Sequence, residues 1–579
     1  MKKTLAILAV LALTLPFTGC EKEEDNDGMI EIFAEAMNGG TKVLLDGANA
    51  TWVDGEKIRI NSDEATVERR GDRAYISYAS SQEVNRALYP SSLNVTSWGG
   101  DNVTVTFPSY YHYRTDGAGH QILDLPMAAR SEGSNPLQFK HLTGALYITI
   151  TNTASVPLTL QSVTVTSNNY MLNGSRAINL SAIDTIGARI SGSNARKSVS
   201  LLFDTGYELA ASGGNVKVMI PVMPVGSDNR FTISVKSYKD GNAKSYLYSR
   251  QQSESGDHSL ARNELGYAPV SIVASGATAD VLEKSSGMYL VRTPHEFAMM
   301  LKAIDNQWFS ATAKYNILED LDMTGIPITP ILYTGFSGYI YGNNNTISHL
   351  TINGITVGGE HFCGLFKCAN LGMTIQDITF NDLRLINQNV GSSTLYAGGL
   401  IAQNTSSGSA TLTINNCTFS IGSFDDGGAT GNVYFGGIVG ELSSVEARLT
   451  NCHVTMSPLS IGGANIWFGG VIGYMGTKPL SLSQSSWEGM LSVNASGNIY
   501  IGGFAGYKSY MSAVPNITNC SVDGYVDAYS LGNNRYIGAL IGGSSTEAFG
   551  SLSGTTTNFT ASLNGHGVSI NNYGTNLAK

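Results

Sequence analysis

Charged side chains are scarce in this sequence. Only 14% of its 579 residues are Asp, Glu, Lys or Arg, against about 25% in an average soluble chain. The balance that remains is acidic, a net −10, so neither nucleic acid nor an anionic membrane surface is an expected partner. Cysteine is scarce as well. There are six, and apart from Cys20 they are Cys363, Cys368, Cys417, Cys452 and Cys520, so no disulfide framework spans the first half. Zinc wants paired Cys or His at short spacing, and Cys363 and Cys368 have no second pair. No metal and no cofactor is expected.

Long apolar runs are missing too. Leu5 to Leu15 covers eleven residues, whereas a bilayer needs roughly 20. No Ser/His/Asp or Cys/His set stands out. Across 391–434 the only charged residues are Asp425 and Asp426, where glycan cleavage would need clustered acids and bases. No catalytic residue is assigned, and the chain is not expected to be an enzyme. The abundant residues are Gly, at 66, and Tyr, at 28, among many Ser, Thr, Asn, Val and Ile. That composition favours strands and turns, and hence an all-β chain of roughly 3–4 domains.

Lys2 and Lys3 precede the Leu5–Leu15 run, which has the layout of a secretory signal. The run ends in Leu15-Pro16-Phe17-Thr18-Gly19-Cys20, which resembles a bacterial lipobox. The resemblance implies cleavage after residue 19 and acylation of Cys20. Glu21 to Asp27 then carries five acids and one base, a solvated tether over 20–28. It resembles the acidic signal that sends lipoproteins of the Bacteroidota to the outer face of the outer membrane. The expected location is therefore the cell outer membrane, lipid-anchored and surface-exposed.

From Met29 to about Tyr267 short alternating segments are broken by Gly, Asn, Asp and Pro. Leu146 to Thr151 and Phe231 to Val235 are clear examples with period 2. Five segments resemble the fimbrillin family of Bacteroidota pilus proteins. They are Thr51-Trp52-Val53-Asp54-Gly55-Glu56-Lys57-Ile58, Ala87-Leu88-Tyr89-Pro90, Leu125-Pro126-Met127-Ala128, Leu137 to Leu146, and Asn263-Glu264-Leu265-Gly266-Tyr267. The resemblance implies two tandem transthyretin-like β-sandwiches, placed at 29–152 and 153–268. In that family a stalk subunit loses its first strand by cleavage after an arginine, and a neighbour's strand replaces it. Here no arginine lies between Cys20 and Arg59, which leaves Lys42 as the placed alternative. An anchor, tip, accessory subunit or autonomous adhesin fits better than a stalk unit. Donor-strand exchange with pilus subunits stays a possible partnership.

Residues 269–287 read as a linker, and 288–579 as a repeat domain. Thr293-Pro294-His295-Glu296 opens a helix running to Ile304, with Thr293 as N-cap. Residues 315–323 and 336–347 resemble the region that precedes GLUG-motif β-solenoids. Six copies of a short motif then recur, at Cys363, Gly398, Gly436, Gly469, Gly502 and Gly538, 33–38 residues apart. That period with paired strands predicts a β-solenoid. A second ladder is expected through Ile378, Cys417, Cys452, Trp487, Cys520 and Phe559, with the thiols as buried packing residues.

Two residues before each motif stand His361, Tyr396, Tyr434, Trp467, Tyr500 and Tyr536. Alternation puts Phe435, Phe468 and Ile501 on the opposite face. With that apolar face turned inward, Tyr396, Tyr434, Trp467, Tyr500 and Tyr536 form a candidate ligand platform. Sugar rings or a host or bacterial surface protein are its expected partners, and Trp467→Ala with Tyr434→Ala is expected to weaken attachment with the fold intact. The competing expectation is that the ladder packs against another sheet. Asp425-Asp426-Gly427-Gly428 reads as a solvated turn in preference to a calcium loop. Asp184-Thr185-Ile186 resembles a Bacteroidota O-glycosylation site. The leading expectation is a surface lipoprotein acting in adhesion, or as a non-stalk pilus component. The alternative is a glycan-binding protein using the solenoid face.

Overall fold

The computed structural model describes residues 29–34, 52 and 54–577, apart from 72, 79–83, 116–120, 123, 133–134, 193–194, 253–257, 370–371, 406–409, 510–513 and 545–548. The expected signal peptide, tether, Cys20 and Lys42 lie outside these residues. Strands take 60% of the described residues and helix 4%, which makes the fold all-β.

The first unit wraps far enough that seven strands hydrogen-bond into a closed barrel. Met29–Ala34 closes it, running parallel to Leu137–His141 and antiparallel to Arg73–Ser77. Three of the sequence motifs converge on its core. The Trp52 ring meets Tyr89 at 5.0 Å and Phe139 at 5.1 Å between centroids, both edge-on, an arrangement that aromatic quadrupoles favour.

The second unit packs a three-stranded sheet on a seven-stranded one, over a core of Val, Leu and Ile. The division expected at Asn152 falls earlier. Gly144–Asn152 is the central strand of the smaller sheet, paired with Asn215–Val222 and with Leu265–Ile272. The two units also share strands. Tyr110–Thr115 runs parallel to Ser198–Leu209 in the second unit's large sheet, and Asn102–Phe107 pairs with Gly174–Asn179.

Residues 269–287 are not a free linker. Leu265–Ile272 completes the sandwich, Thr278–Asp280 adds to its edge at Lys244–Gln251, and Lys284–Ser285 already pairs with Met288–Val291 of the next unit. Val281 and Leu282 are buried. The Val281 carbonyl accepts from Gln161 Nε2 at 2.9 Å and from Lys236 Nζ at 3.0 Å. Nearby, His112 sits between Asp204 at 2.6 Å and Glu319 at 2.7 Å. Arg292 pairs with Glu296 at 2.9 Å and Glu283 at 2.7 Å. This joint ties the sandwich to the repeat domain.

The helix spans Pro294–Asp305. Thr293 Oγ1 accepts the Glu296 N–H at 3.0 Å, and the Glu296 carboxylate accepts the Arg292 N–H at 2.8 Å, one residue earlier than a capping box would place it. Its buried face covers the first rungs.

Beyond it the chain winds into a three-walled parallel β-solenoid. The long wall includes Thr374–Ile386, Thr411–Asp425, Glu446–Gly463, Ser486–Ala495, Ser521–Ser530 and Thr556–Leu563. The second wall includes Leu395–Gly398, Val433–Gly436, Ile466–Gly469, Ile499–Gly502 and Arg535–Gly538. The third holds Ile401–Asn404, Val439–Leu442, Ile472–Met475, Ala505–Lys508 and Ile541–Ser544. At the far end the antiparallel pieces His566–Gly567 and Thr575–Asn576 turn back over two of the walls, protection that an open sheet edge needs.

The cysteine ladder is real but differs from the expected register. Ile378, Cys417 and Cys452 are in line. The next rung pairs Trp487 with Val454, and Phe559 pairs with Gly524. Ser485 and Thr555 take the cysteine position, their hydroxyls accepting the N–H of Cys452 at 3.0 Å and of Cys520 at 3.4 Å. A left-handed corner residue just before the thiol sets this register. Asn416, Asn451 and Asn519 have φ of 51°, 52° and 53°, which asparagine tolerates well. Asn451 Nδ2 donates to Asn416 Oδ1 at 3.1 Å, and Asn416 Nδ2 to Asp377 Oδ1 at 2.9 Å, so the corners bond from rung to rung.

Asp426 accepts the N–H of Gly428 at 2.9 Å and of Gly462 at 2.7 Å, the bonding of a turn. Among the described residues no cluster of three His, Cys, Asp or Glu is placed to hold a metal. Asp184 pairs with Lys140 at 2.5 Å and Arg262 at 2.5 Å, and Thr185 Oγ1 donates to the Ala182 carbonyl at 2.7 Å.

Candidate functional site: an aromatic groove on the solenoid

The second and third walls meet at an angle, and aromatic side chains line the meeting. Tyr396, Tyr434, Trp467, Tyr500 and Tyr536 are in register from rung to rung. Phe435 and Phe468, one residue on, are fully buried in the core. Tyr434, Trp467, Tyr500 and Tyr536 are half-buried, while Tyr396 is only 8% exposed. His361 does not belong to the ladder. It lies opposite Leu395, and Phe362 takes the place beside Tyr396. The rung is one residue short there, since Cys363 pairs with Ala397 while Phe366 bridges Ile401.

The rings stack on one another. Centroid separations run 5.0, 4.4, 5.5 and 5.5 Å from Tyr396 to Tyr536, with planes 4–14° from parallel. Phe362 covers the outer face of Tyr396 at 5.5 Å. A sugar stacks on the flat face of a ring, and those faces are taken by neighbouring rings. The open platform expected for sugar stacking is therefore not what the ladder presents. It offers ring edges, phenol hydroxyls and one indole.

The third wall supplies a second row that the sequence reading missed: Gln403, Glu441, Tyr474, Tyr507 and Gly543. Each stands seven residues after its partner in the first row, a spacing present in five of the six copies. Tyr474 stacks on Tyr507 at 5.7 Å, and the two rows meet edge to face at Tyr434–Tyr474, 5.9 Å, and Tyr500–Tyr507, 5.1 Å. The crease between the walls is glycine because nothing larger fits. A Cβ on Gly440 would lie 2.4 Å from the Ala402 carbonyl oxygen, and one on Gly473 the same distance from that of Gly440.

One end of the groove is acidic. Glu441 Oε2 accepts from Gln403 Nε2 at 3.0 Å, and Glu360 Oε1 accepts from the Tyr396 hydroxyl at 3.5 Å. Burial, and then the Glu441 charge, raise the Tyr396 and Tyr434 hydroxyls above the ordinary phenol range. Both phenols are hydrogen-bond donors at any physiological pH.

No family model and no curated protein matches this sequence. Part of the chain is similar to solved structures of Bacteroides proteins whose names propose a role in cell adhesion. One from Bacteroides ovatus is 13% identical with a TM-score of 0.25, covering 44% of this chain and 98% of that one. One from Bacteroides uniformis is 15% identical with a TM-score of 0.25 and the same coverage. One from Bacteroides fragilis is 12% identical with a TM-score of 0.24, again over 44% and 98%.

Proposed function

We propose that this chain is a surface lipoprotein that works in attachment, its solenoid serving as a stiff arm with a binding groove. The observation that carries this reading is the in-register double row of aromatics from Tyr396 to Tyr536 and from Tyr474 to Tyr507. Such a row gives a long, rigid contact surface with polar tips, the kind that binding sites favour. The joint at Val281, His112 and Arg292 supports it, because a fixed arm holds its groove at a set distance from the anchor. The partner is a surface protein or a glycan, held at ring edges and hydroxyls. The role is binding, since the groove's two carboxylates are both engaged by neighbouring side chains.

The proposed anchor is acylated Cys20, with the chain on the outer membrane. Within a pilus the chain would be an anchor, tip or accessory unit. Met29–Ala34 already fills the gap between Leu137–His141 and Arg73–Ser77, the kind of place a donated strand would need. Arg59 sits within strand Lys57–Ile60, where cleavage would open the barrel. An immunoblot of the outer-membrane fraction, with and without boiling in detergent, tests this. A single band at monomer mass in both lanes is expected. A high-mass ladder that collapses on boiling would make the chain a stalk subunit.

A further inference from the structure

A cavity of about 560 Å³ opens on the outside of the barrel, far in sequence from the solenoid groove. Its walls are Arg59, Asn61, Ser62 and Arg86 on one side and Val95, Thr96, Ser97 and Trp98 on the other. The size lies in the range of small-ligand sites. Alternation builds the first wall. Ile58, Ile60 and Ala87 point into the barrel core, so Arg59 and Arg86 point out. The strands are in register there, with the Asn61 N–H donating to the Arg86 carbonyl at 2.7 Å.

The second wall is strand Asn94–Gly99, which among the described residues pairs only with Asn102–Phe107. Its register shifts between Val95 and Ser97. A bulge of this kind re-aims side chains. Ser97 Oγ bonds Thr104 Oγ1 at 2.8 Å, and the Trp98 ring is half-buried against the core beneath.

The charge of the cavity is unusual for so acidic a chain. Two guanidinium groups line it and no carboxylate does. Arg86 is braced by Asp101 at 2.9 Å and by the Val84 carbonyl at 3.4 Å. Arg59 donates Nη2 to the Ser91 carbonyl at 3.0 Å, and among the described residues it makes no ion pair. Glu64 is its cross-strand neighbour and feels its charge, but that carboxylate is hydrogen-bonded by Lys57 at 2.7 Å and Ser91 at 2.8 Å. Arg59 is thus a braced cation with hydrogen-bond capacity to spare.

We propose that this cavity binds the carboxylate-bearing ring of an acidic sugar. A guanidinium matches a carboxylate with paired, charge-assisted bonds. The indole offers an apolar edge and face to the ring's C–H groups. Ser62 supplies a hydroxyl, and Thr96 and Ser97, whose protons go to Thr104, supply acceptor lone pairs for the sugar's own hydroxyls. The site lies in the barrel and is independent of the groove reading.

The test uses the mature chain and defined probes. Glucuronic acid and N-acetylneuraminic acid are titrated against glucose and acetate, with binding read by calorimetry and by saturation-transfer NMR. The acidic sugars are expected to bind at least about tenfold more tightly than either control, and Arg59→Gln is expected to lower their affinity about tenfold with an unchanged melting curve. Transferred signal on the sugar ring protons, reduced in Trp98→Leu, is expected as well. Equal binding of glucose would overturn the role of the carboxylate. Equal binding of acetate would reduce the site to a simple anion site and overturn the sugar. No saturation transfer to acidic sugars from the unmodified chain would overturn the proposal whatever the variants do.

Discussion

The Tyr434 and Trp467 rings lie face to face, 4.4 Å apart at their centroids and 4° from parallel. They sit 33 residues apart in sequence, one turn of the solenoid. Each ring therefore belongs to the stability of two rungs as well as to the groove.

Replacing Trp467 by alanine removes stacking from both Tyr434 and Tyr500. A loss of about 2 kcal/mol is expected, less than for a fully buried Trp because this ring is half-exposed. Denaturant unfolding of the solenoid transition checks it, and Trp467→Tyr should recover most of the loss.

Gly473 is the sharpest steric test. A Cβ there meets the Gly440 carbonyl oxygen at 2.4 Å and the Phe435 nitrogen at 2.8 Å. Both are backbone atoms that cannot move aside. Gly473→Ala is expected to cost several times the value for an exposed strand glycine, about 3 kcal/mol or more, and to lower the yield of folded protein. Gly187→Ala, at an exposed position with open space around it and no left-handed φ, should be far milder.

The five thiols are buried and unpaired by disulfides. Burial pushes Cys363, Cys417 and Cys452 up to about 12, so almost no thiolate forms near neutrality. Native protein lacking Cys20 should show no fast reaction with a thiol reagent at pH 7.5. Five equivalents should react once the chain is unfolded. A fast equivalent in the native state would place one cysteine outside its ladder.

The joint titrates in both directions. Burial lowers His295, whose ring packs on Tyr238 of the sandwich at 5.6 Å, to about 4 from an ordinary 6.5. Its share of stability is whole above pH 6.5 and is lost as pH falls through about 4. Burial pulls His112 down as well, but its bonds to Asp204 and Glu319 win and raise it to about 9. Its share is whole below pH 6.5 and is lost as pH rises through about 9. Thermal unfolding across pH 4–9 should show the joint tightest near 6.5. His295→Gln should flatten the acid limb and His112→Gln the alkaline limb.

The solenoid was legible because its period is carried by sequence itself. Spacings of 38, 33, 33 and 36 from Tyr396 to Tyr536 reappear as strand pairings. Register within a rung was less legible. A corner one residue shorter after Cys363 displaced His361, and a left-handed corner fixed Ser485 where Trp487 was expected, because glycine and asparagine mark a corner without saying how many residues it takes. The corner asparagines themselves stood in plain view, one residue before Cys417, Cys452 and Cys520. The helix was fully announced by Thr293, Pro294 and Glu296. The sandwich boundary was not, since the partners of Gly144–Asn152 lie about 70 and 120 residues downstream and local alternation is blind to them. Val281 and Leu282, two apolar residues among small polar ones, gave no period from which a buried joint could be read.

Attachment can be measured directly. Cells of the native host, with the gene intact, deleted and restored, are compared for adherence to mucin, to extracellular-matrix proteins and to neighbouring bacteria. A deficit is expected on at least one of these surfaces, one that restoration repairs and that a chain ending before residue 288 does not. Equal adherence of all strains to every surface would contradict it.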